Sequence, residues 1–190
     1  VDVAGQIAQG NFGNVIDVQG RDEIADLMRA LETMQTELFG RILREKNEAL
    51  RINQALDVST ANVMIADNDF NVIYTNGSVK KLFETVEREF QTDLPGFAAD
   101  KVLGASIDQF HKRPEHQRAM LQALTTTHTA EMTVGGRNMK IVATPVVNEH
   151  GNRLGTVVEW ADLTEQRRAE RQIATLIDAA SNGKLDSRLD

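Results

Sequence analysis

Apolar residues follow two different periods along this chain, and the change of period divides it. Ile24, Leu27, Leu31, Met34 and Leu38 recur at alternating spacings of three and four. That is the heptad seam of a helix that needs a partner helix. Ahead of the seam, Gly10, Gly13 and Gly20 punctuate a stretch in which Phe12, Val15 and Val18 are isolated apolar pegs, the pattern of a connector lying along helices. Arg21-Asp22-Glu23 sets carboxylates in the first turn of the seam helix, where the helix dipole favours them. From Arg41 to Asn53 the period weakens among alternating charges, which predicts a solvated helical linker.

The middle of the chain is built differently. Asn62–Asp67 and Asn71–Thr75 are short β-prone runs joined by Asn68-Asp69, a hairpin-like pairing. Val79, Leu82, Phe83 and Val86 predict a short helix over Ser78–Arg88, followed by a loop or irregular insertion over residues 89–103. Pro114 starts a helix running through Leu124, with Ala119, Met120, Ala123 and Leu124 turned inward. Thr127–Val134, Asn138–Val147 and Leu154–Trp160 then alternate as three strands, with turns at Gly135-Gly136 and Glu149–Asn152. Strand, strand, helices and three strands make an α+β pattern with an antiparallel sheet. Asp162-Leu163-Thr164-Glu165 closes the last strand as a capping box, Asp162 capping a new helix while Glu165 reaches back. Ala169, Ile173, Leu176 and Ala180 give that helix a second seam, and Ala174–Asp190 can be laid without gaps over Val1–Asp17, matching Gly183 to Gly10 and Leu185 to Phe12.

Composition narrows the functions available. In 190 residues, 28 acidic side chains face 21 basic ones, a net charge of −7. Such a surface repels nucleic acid and anionic bilayers on average, so neither is the expected partner. No cysteine occurs, which excludes a disulfide framework, thiolate-bound zinc, iron–sulfur clusters and thioether-attached haem. No apolar run approaches the ~20 residues of a membrane-spanning helix, so no membrane contact is expected within the chain. It opens on Val1 without a signal peptide and reads as a cytoplasmic fragment of a longer protein, whether that parent is soluble or anchored in a membrane through a segment upstream of Val1. Aromatic residues are 5% of the total, low for a wholly globular chain, so part of the length is expected to be extended helix.

Taken together, these features resemble a PAS sensor domain set between HAMP-type signalling helices, as in bacterial methyl-accepting chemotaxis receptors. The HAMP resemblance rests on the Gly10 connector, Arg21-Asp22-Glu23 and the seam from Ile24. The PAS resemblance rests on Asn62–Asp67, Tyr74-Thr75-Asn76, the stretch Phe110–Gln117 and the closing Asp162-Leu163-Thr164. It implies a five-stranded antiparallel sheet with helices on one face, flanked by HAMP-type and coiled-coil helices. The expected boundaries are a partial HAMP-type domain at 1–40, a helical linker at 41–56, the PAS domain at 57–164, and an exit helix with the possible start of a second HAMP-type module at 165–190. Asp162, Leu163 and Thr164 match the joint by which PAS domains pass a signal to a coiled coil.

The Phe110–Gln117 stretch is similar to that of the haem-binding PAS domains of aerotaxis-type receptors. The resemblance implies b-type haem with His111 as the axial ligand, Trp160 facing bound oxygen, and Ile141 packing beside it. Phe110 and Ile107 are apolar neighbours suited to the pocket wall. Haem held without cysteines needs burial plus an axial ligand, and neutral imidazole is a common choice. On the residues alone, His111 also reads as a turn cap and Trp160 as ordinary core. His116 is the rival ligand, but five residues from His111 it lies on a different helical face. His128 and His150 are expected at the surface, and Asn76 as the cap of the following helix. Asp67, Asp69 and Asp108 are paired with no nucleophile, so catalysis is not expected. The expected function is a gas or redox sensor acting as a parallel homodimer through the seams. The full receptor would engage a chemotaxis histidine kinase and its adaptor. A haem-free relay or spacer, or a domain holding flavin or a small metabolite, is the alternative.

Overall fold

The computed structural model describes residues 3–13, 16, 22–111 and 113–181, in two compact units, Val1–Ala55 and Leu56–Asp190. In the first unit a short helix α1 (Val3–Ala8) precedes the long helix α2 (Glu23–Asp57). Asp22 Oδ1 accepts the Ala25 N–H at 3.0 Å and so caps α2. The connector is tied to α2 where Gln35 Nε2 donates to the Phe12 carbonyl at 2.6 Å and Phe12 meets Phe39 at 6.1 Å. Helix α2 continues unbroken through the stretch expected as a solvated linker. The seam residues stay open to solvent in the single chain, Ile24 at 65% and Leu27 at 58% exposure. Val15, Val18, Gly20, Arg21, Gly183 and Leu185 lie outside the described residues.

The second unit is a five-stranded, fully antiparallel sheet with strands β1 (Asn62–Ala66), β2 (Val72–Thr75), β3 (His128–Val134), β4 (Arg137–Val147) and β5 (Arg153–Asp162). Their order across the sheet is β2-β1-β5-β4-β3, so β1 and β5, distant in sequence, meet at the centre. Helix α3 (Gly77–Asp93) lays Val79, Phe83, Val86 and Phe90 against Met64, Val72 and Met139. These positions fall at i, i+4, i+7 and i+11, one helical face. The helix is thus longer than the Ser78–Arg88 expected, because Phe90 extends the same stripe by one turn. The expected loop that follows contains a 3-10 turn at Ala99–Lys101 and buries Phe97 and Val102 in the core. A second 3-10 turn, Ile107–Phe110, leads to α4 (Pro114–Ala123), and α5 (Thr164–Ser181) leaves the sheet after β5. On α4 the inward side is Gln117, Met120 and Leu121, while Ala119 and Ala123 are exposed. Small alanines satisfy either face, so they gave no directional signal.

Asn76 does more than cap α3. Fully buried, it accepts from the Val63 and Val79 N–H groups, both at 3.0 Å. Its Nδ2 donates to the carbonyls of Leu56 at 2.9 Å and Ala61 at 2.7 Å. One amide therefore ties the end of α2, the entry to β1 and the start of α3. Nearby, the Tyr74 hydroxyl donates to Asp57 Oδ1 at 2.8 Å, and burial with that carboxylate pushes the phenol up to about 12. Replacing Asn76 by alanine strands several buried backbone groups, each costing about 1–3 kcal/mol. Asn76→Ala is expected to lower stability by about 3 kcal/mol or more. Urea denaturation should show a reduced midpoint with an unchanged slope; an unchanged midpoint would contradict the role.

Candidate functional site

Strand alternation brings the site together on the inner face of the sheet. Ile141 of β4 pairs with Trp160 of β5 on one side and with Ala130 of β3 on the other. These three side chains form one row lining a cavity of about 240 Å³. Phe83 meets the Trp160 ring edge-on at 5.3 Å, and Phe97 meets Phe110 at 5.7 Å. Ile107, Phe110, His111, Ile141 and Trp160 all line this space. His116 does not: it sits on the exposed side of α4, away from the face that carries Gln117, Met120 and Leu121. His150 lies exposed in the β4–β5 turn beside Glu149.

His111 follows the 3-10 turn, its N–H donating to the Asp108 carbonyl at 3.2 Å. Its Nδ1 lies 2.7 Å from the Ile107 carbonyl oxygen. A carbonyl can only accept, so Nδ1 carries the proton, and in the neutral ring that leaves the lone pair on Nε2. Metal-binding imidazoles characteristically show this arrangement, one nitrogen held by a carbonyl and the other left for the metal. The turn itself is pinned by Arg118. Its guanidinium grips Asp108 through Nε at 3.0 Å and Nη2 at 2.5 Å and stacks over the Phe70 ring at 5.2 Å.

The Trp160 indole N–H is buried and finds no hydrogen-bond acceptor among the described residues. An unpaired buried donor costs roughly 1–3 kcal/mol, so the position calls for an acceptor supplied from elsewhere. Besides His111 and Trp160, the polar side chains lining the cavity are Gln117 and His128. His128 is thus half-buried and cavity-facing rather than on the surface. Its signal was the alternation His128, Ala130, Met132, Val134 on β3, whose members all face the cavity while Thr129, Glu131 and Thr133 face out. Among the described residues no three His, Asp or Glu side chains are grouped to hold a metal ion. An apolar space, a tautomer-fixed imidazole and an indole without an acceptor fit haem in the chemistry of their donors.

At the end of β5, Asp162 Oδ1 accepts the Thr164 N–H at 2.9 Å and also the Thr164 hydroxyl. Helix α5 begins at Thr164, so Asp162 caps from two residues ahead, and no bond from Glu165 back to it is found among the described residues. The second-seam residues Ala169 and Ile173 are exposed, Ile173 at 55%. No described helix is long and apolar enough to cross a membrane.

The family model for the PAS fold matches residues 56–168, and that for the HAMP domain matches residues 1–39. The chain belongs to the PAS-fold family. It is similar over its whole length to the methyl-accepting chemotaxis protein McpB of Pseudomonas aeruginosa, at 39% identity over 197 residues. It is also similar to the sensor histidine kinase WalK of Bacillus subtilis, at 25% identity over 168 residues and 88% of the chain. It spans only 29% of McpB and 26% of WalK. Among solved structures it is similar to the Aer2 receptor of Vibrio cholerae, a dual PAS–haem oxygen sensor, at 29% identity and a TM-score of 0.50. That match covers 55% of this chain and 95% of the other.

The Asp108–Arg118 pair makes a pH prediction. Arg118 holds the Asp108 carboxyl below the usual carboxylate range. A carboxylate depressed on folding stabilises above its unfolded pKa of about 3.9, and the benefit disappears as pH falls through the lower folded value. Asp108→Asn should therefore reduce the urea midpoint near neutral pH and converge on the parent chain once the pH falls below the depressed value of the folded carboxyl. Parallel midpoints at every pH would contradict this.

Proposed function

We propose that the PAS domain is a sensor of oxygen or another diatomic gas, with b-type haem seated in the cavity on His111. The observation that carries the reading is the meeting of two groups in one apolar space: an imidazole whose Nδ1 proton is already committed, and an indole N–H without an acceptor. When bound, haem supplies reversible attachment of a small gas molecule. His111 offers the Nε2 lone pair, and the Ile107 carbonyl makes that nitrogen a better donor by polarising Nδ1–H. Trp160 offers a hydrogen bond to a partially negative ligand, which favours oxygen over carbon monoxide. Ile107, Phe110 and Ile141 keep water out, which strengthens that bond. Gln117 and His128 would offer haem two further polar side chains from the cavity lining. Similarity to the Aer2 haem sensor supports the same reading.

The space of about 240 Å³ is below the ~300–1,000 Å³ usual for ligand pockets, so loading calls for outward movement of a wall. Helix α4, which has no fully buried residue, is the helical wall suited to that movement. That small volume also favours a second reading, in which a small apolar metabolite fills the domain or it relays haem-free; flavin, a larger group, gains nothing from it.

In this account residues 1–40 are a partial HAMP-type domain, 41–56 a linker, 57–164 the sensor, and 165–190 an exit helix leading toward a second HAMP-type module. Occupancy changes at Trp160 reach α5 through Asp162, Leu163 and Thr164. The exposed seams of α2 and α5 support a parallel homodimer. Similarity to McpB supports a cytoplasmic setting in which a chemotaxis histidine kinase and adaptor receive the signal. Reconstitution with haemin tests the site. The parent chain should show a Soret band, His111→Ala should lose it, and Trp160→Leu should keep it while binding oxygen about tenfold more weakly. Normal haem loading by His111→Ala would overturn the ligand assignment, and a colourless parent chain would favour the second reading.

A further inference from the structure

The tight turn between β3 and β4 is fastened at both ends, to α3 on one side and to the start of α5 on the other. Gly135 adopts φ +55°, and a Cβ there would lie 1.8 Å from the Glu89 carbonyl oxygen. Only glycine lets the turn seat directly on the α3 backbone. Asp93 Oδ2 accepts the Gly135 N–H at 2.7 Å, a second hold on the same helix. Two residues on, Arg137 reaches Glu89 Oε1 at 2.5 Å and Asp162 Oδ2 at 3.2 Å. Asn138 then engages the output joint with both backbone groups. Its N–H donates to Thr164 Oγ at 3.0 Å, and its carbonyl accepts the Leu163 N–H at 2.8 Å. Helix α3 meanwhile lines the cavity with Phe83 and Phe90, the latter adjacent to Glu89.

We propose that Glu89, Asp93 and Gly135 are positioning residues of the signal path, holding the β3–β4 turn so that a shift of α3 at the cavity is delivered to the first turn of α5. The proposal rests on Asp162–Thr164 being the output joint. It adds a route from the helical wall to that joint, parallel to the one along β5. Partly exposed ion pairs contribute little to global stability, so the Glu89–Arg137 bond can be cut without unfolding the sheet. Arg137 is shared between a carboxylate on α3 and one on the joint, so displacement of either end alters its hold on the other.

Amide hydrogen exchange of the 190-residue chain, with and without haemin, tests this in Glu89→Gln and Gly135→Ala. Residues 163–168 should exchange about tenfold faster in both variants, while the centres of β1 and β5 stay within about twofold of the parent. Any change of α5 protection on haemin loading should shrink in both variants. Unchanged exchange at 163–168 in Glu89→Gln would overturn the proposal, as would a rise shared equally by the whole sheet. Should Gly135→Ala fail to fold, Glu89→Gln decides alone. The Soret band of the same parent sample is read separately. Its absence counts against haem binding, and the unloaded variants still decide the role of the turn.

Discussion

A buried indole N–H with no acceptor among the described residues is the feature on which the functional account rests. Trp160 is fixed there from several sides. Its backbone pairs with Asn62 and Ile141, its carbonyl accepts Asn62 Nδ2 at 2.9 Å, and Phe83 meets its ring edge-on. Folding therefore holds the donor in an apolar environment at a cost of order 1–3 kcal/mol. Protein interiors rarely leave such groups unmatched, and an acceptor brought in from outside is one way such a bond is completed. The imidazole of His111, borne by the 3-10 segment that closes the cavity, supplies the complementary half.

The two halves are anchored by different means, and that separation suits a sensor. Trp160 and Ile141 ride on central, fully paired strands, the most protected part of such a domain. His111 rides on a short turn whose fixity comes from Arg118, Asp108 and the Phe70 backbone carbonyl, which accepts the Ile107 N–H at 2.9 Å. A rigid sheet facing a more loosely held wall can register occupancy as displacement of the wall. The strand that carries Trp160 runs directly into Asp162–Thr164, so it and the start of α5 are one continuous piece of backbone.

Much of this architecture was legible in the sequence because period and punctuation agreed. The five strands, the turn glycines and the Pro114 helix start follow from alternation and local turn chemistry. The roles proposed for His111, Trp160 and Ile141 came from resemblance to a family, since no spacing rule brings together residues on a 3-10 turn and two strands. The end of α3 was missed because Phe90 follows three charged residues, Glu87, Arg88 and Glu89, which masked the stripe. His128 was misread although its strand alternates cleanly: a histidine at a strand end looks like surface unless its face is followed to Ala130 and Met132. The four bonds of Asn76 and the double engagement of Arg137 could not be read at all. Their partners, the Leu56 and Ala61 carbonyls, Glu89 and Asp162, become neighbours only once the sheet has closed.

Because the chain contains one tryptophan, its indole N–H gives a single resonance in a proton–nitrogen correlation spectrum, and that resonance reports the central claim directly. Loading with haem and carbon monoxide should shift the indole signal strongly and slow its solvent exchange, while the backbone amides of α2 stay where they were. An indole resonance that does not move on loading would contradict the account.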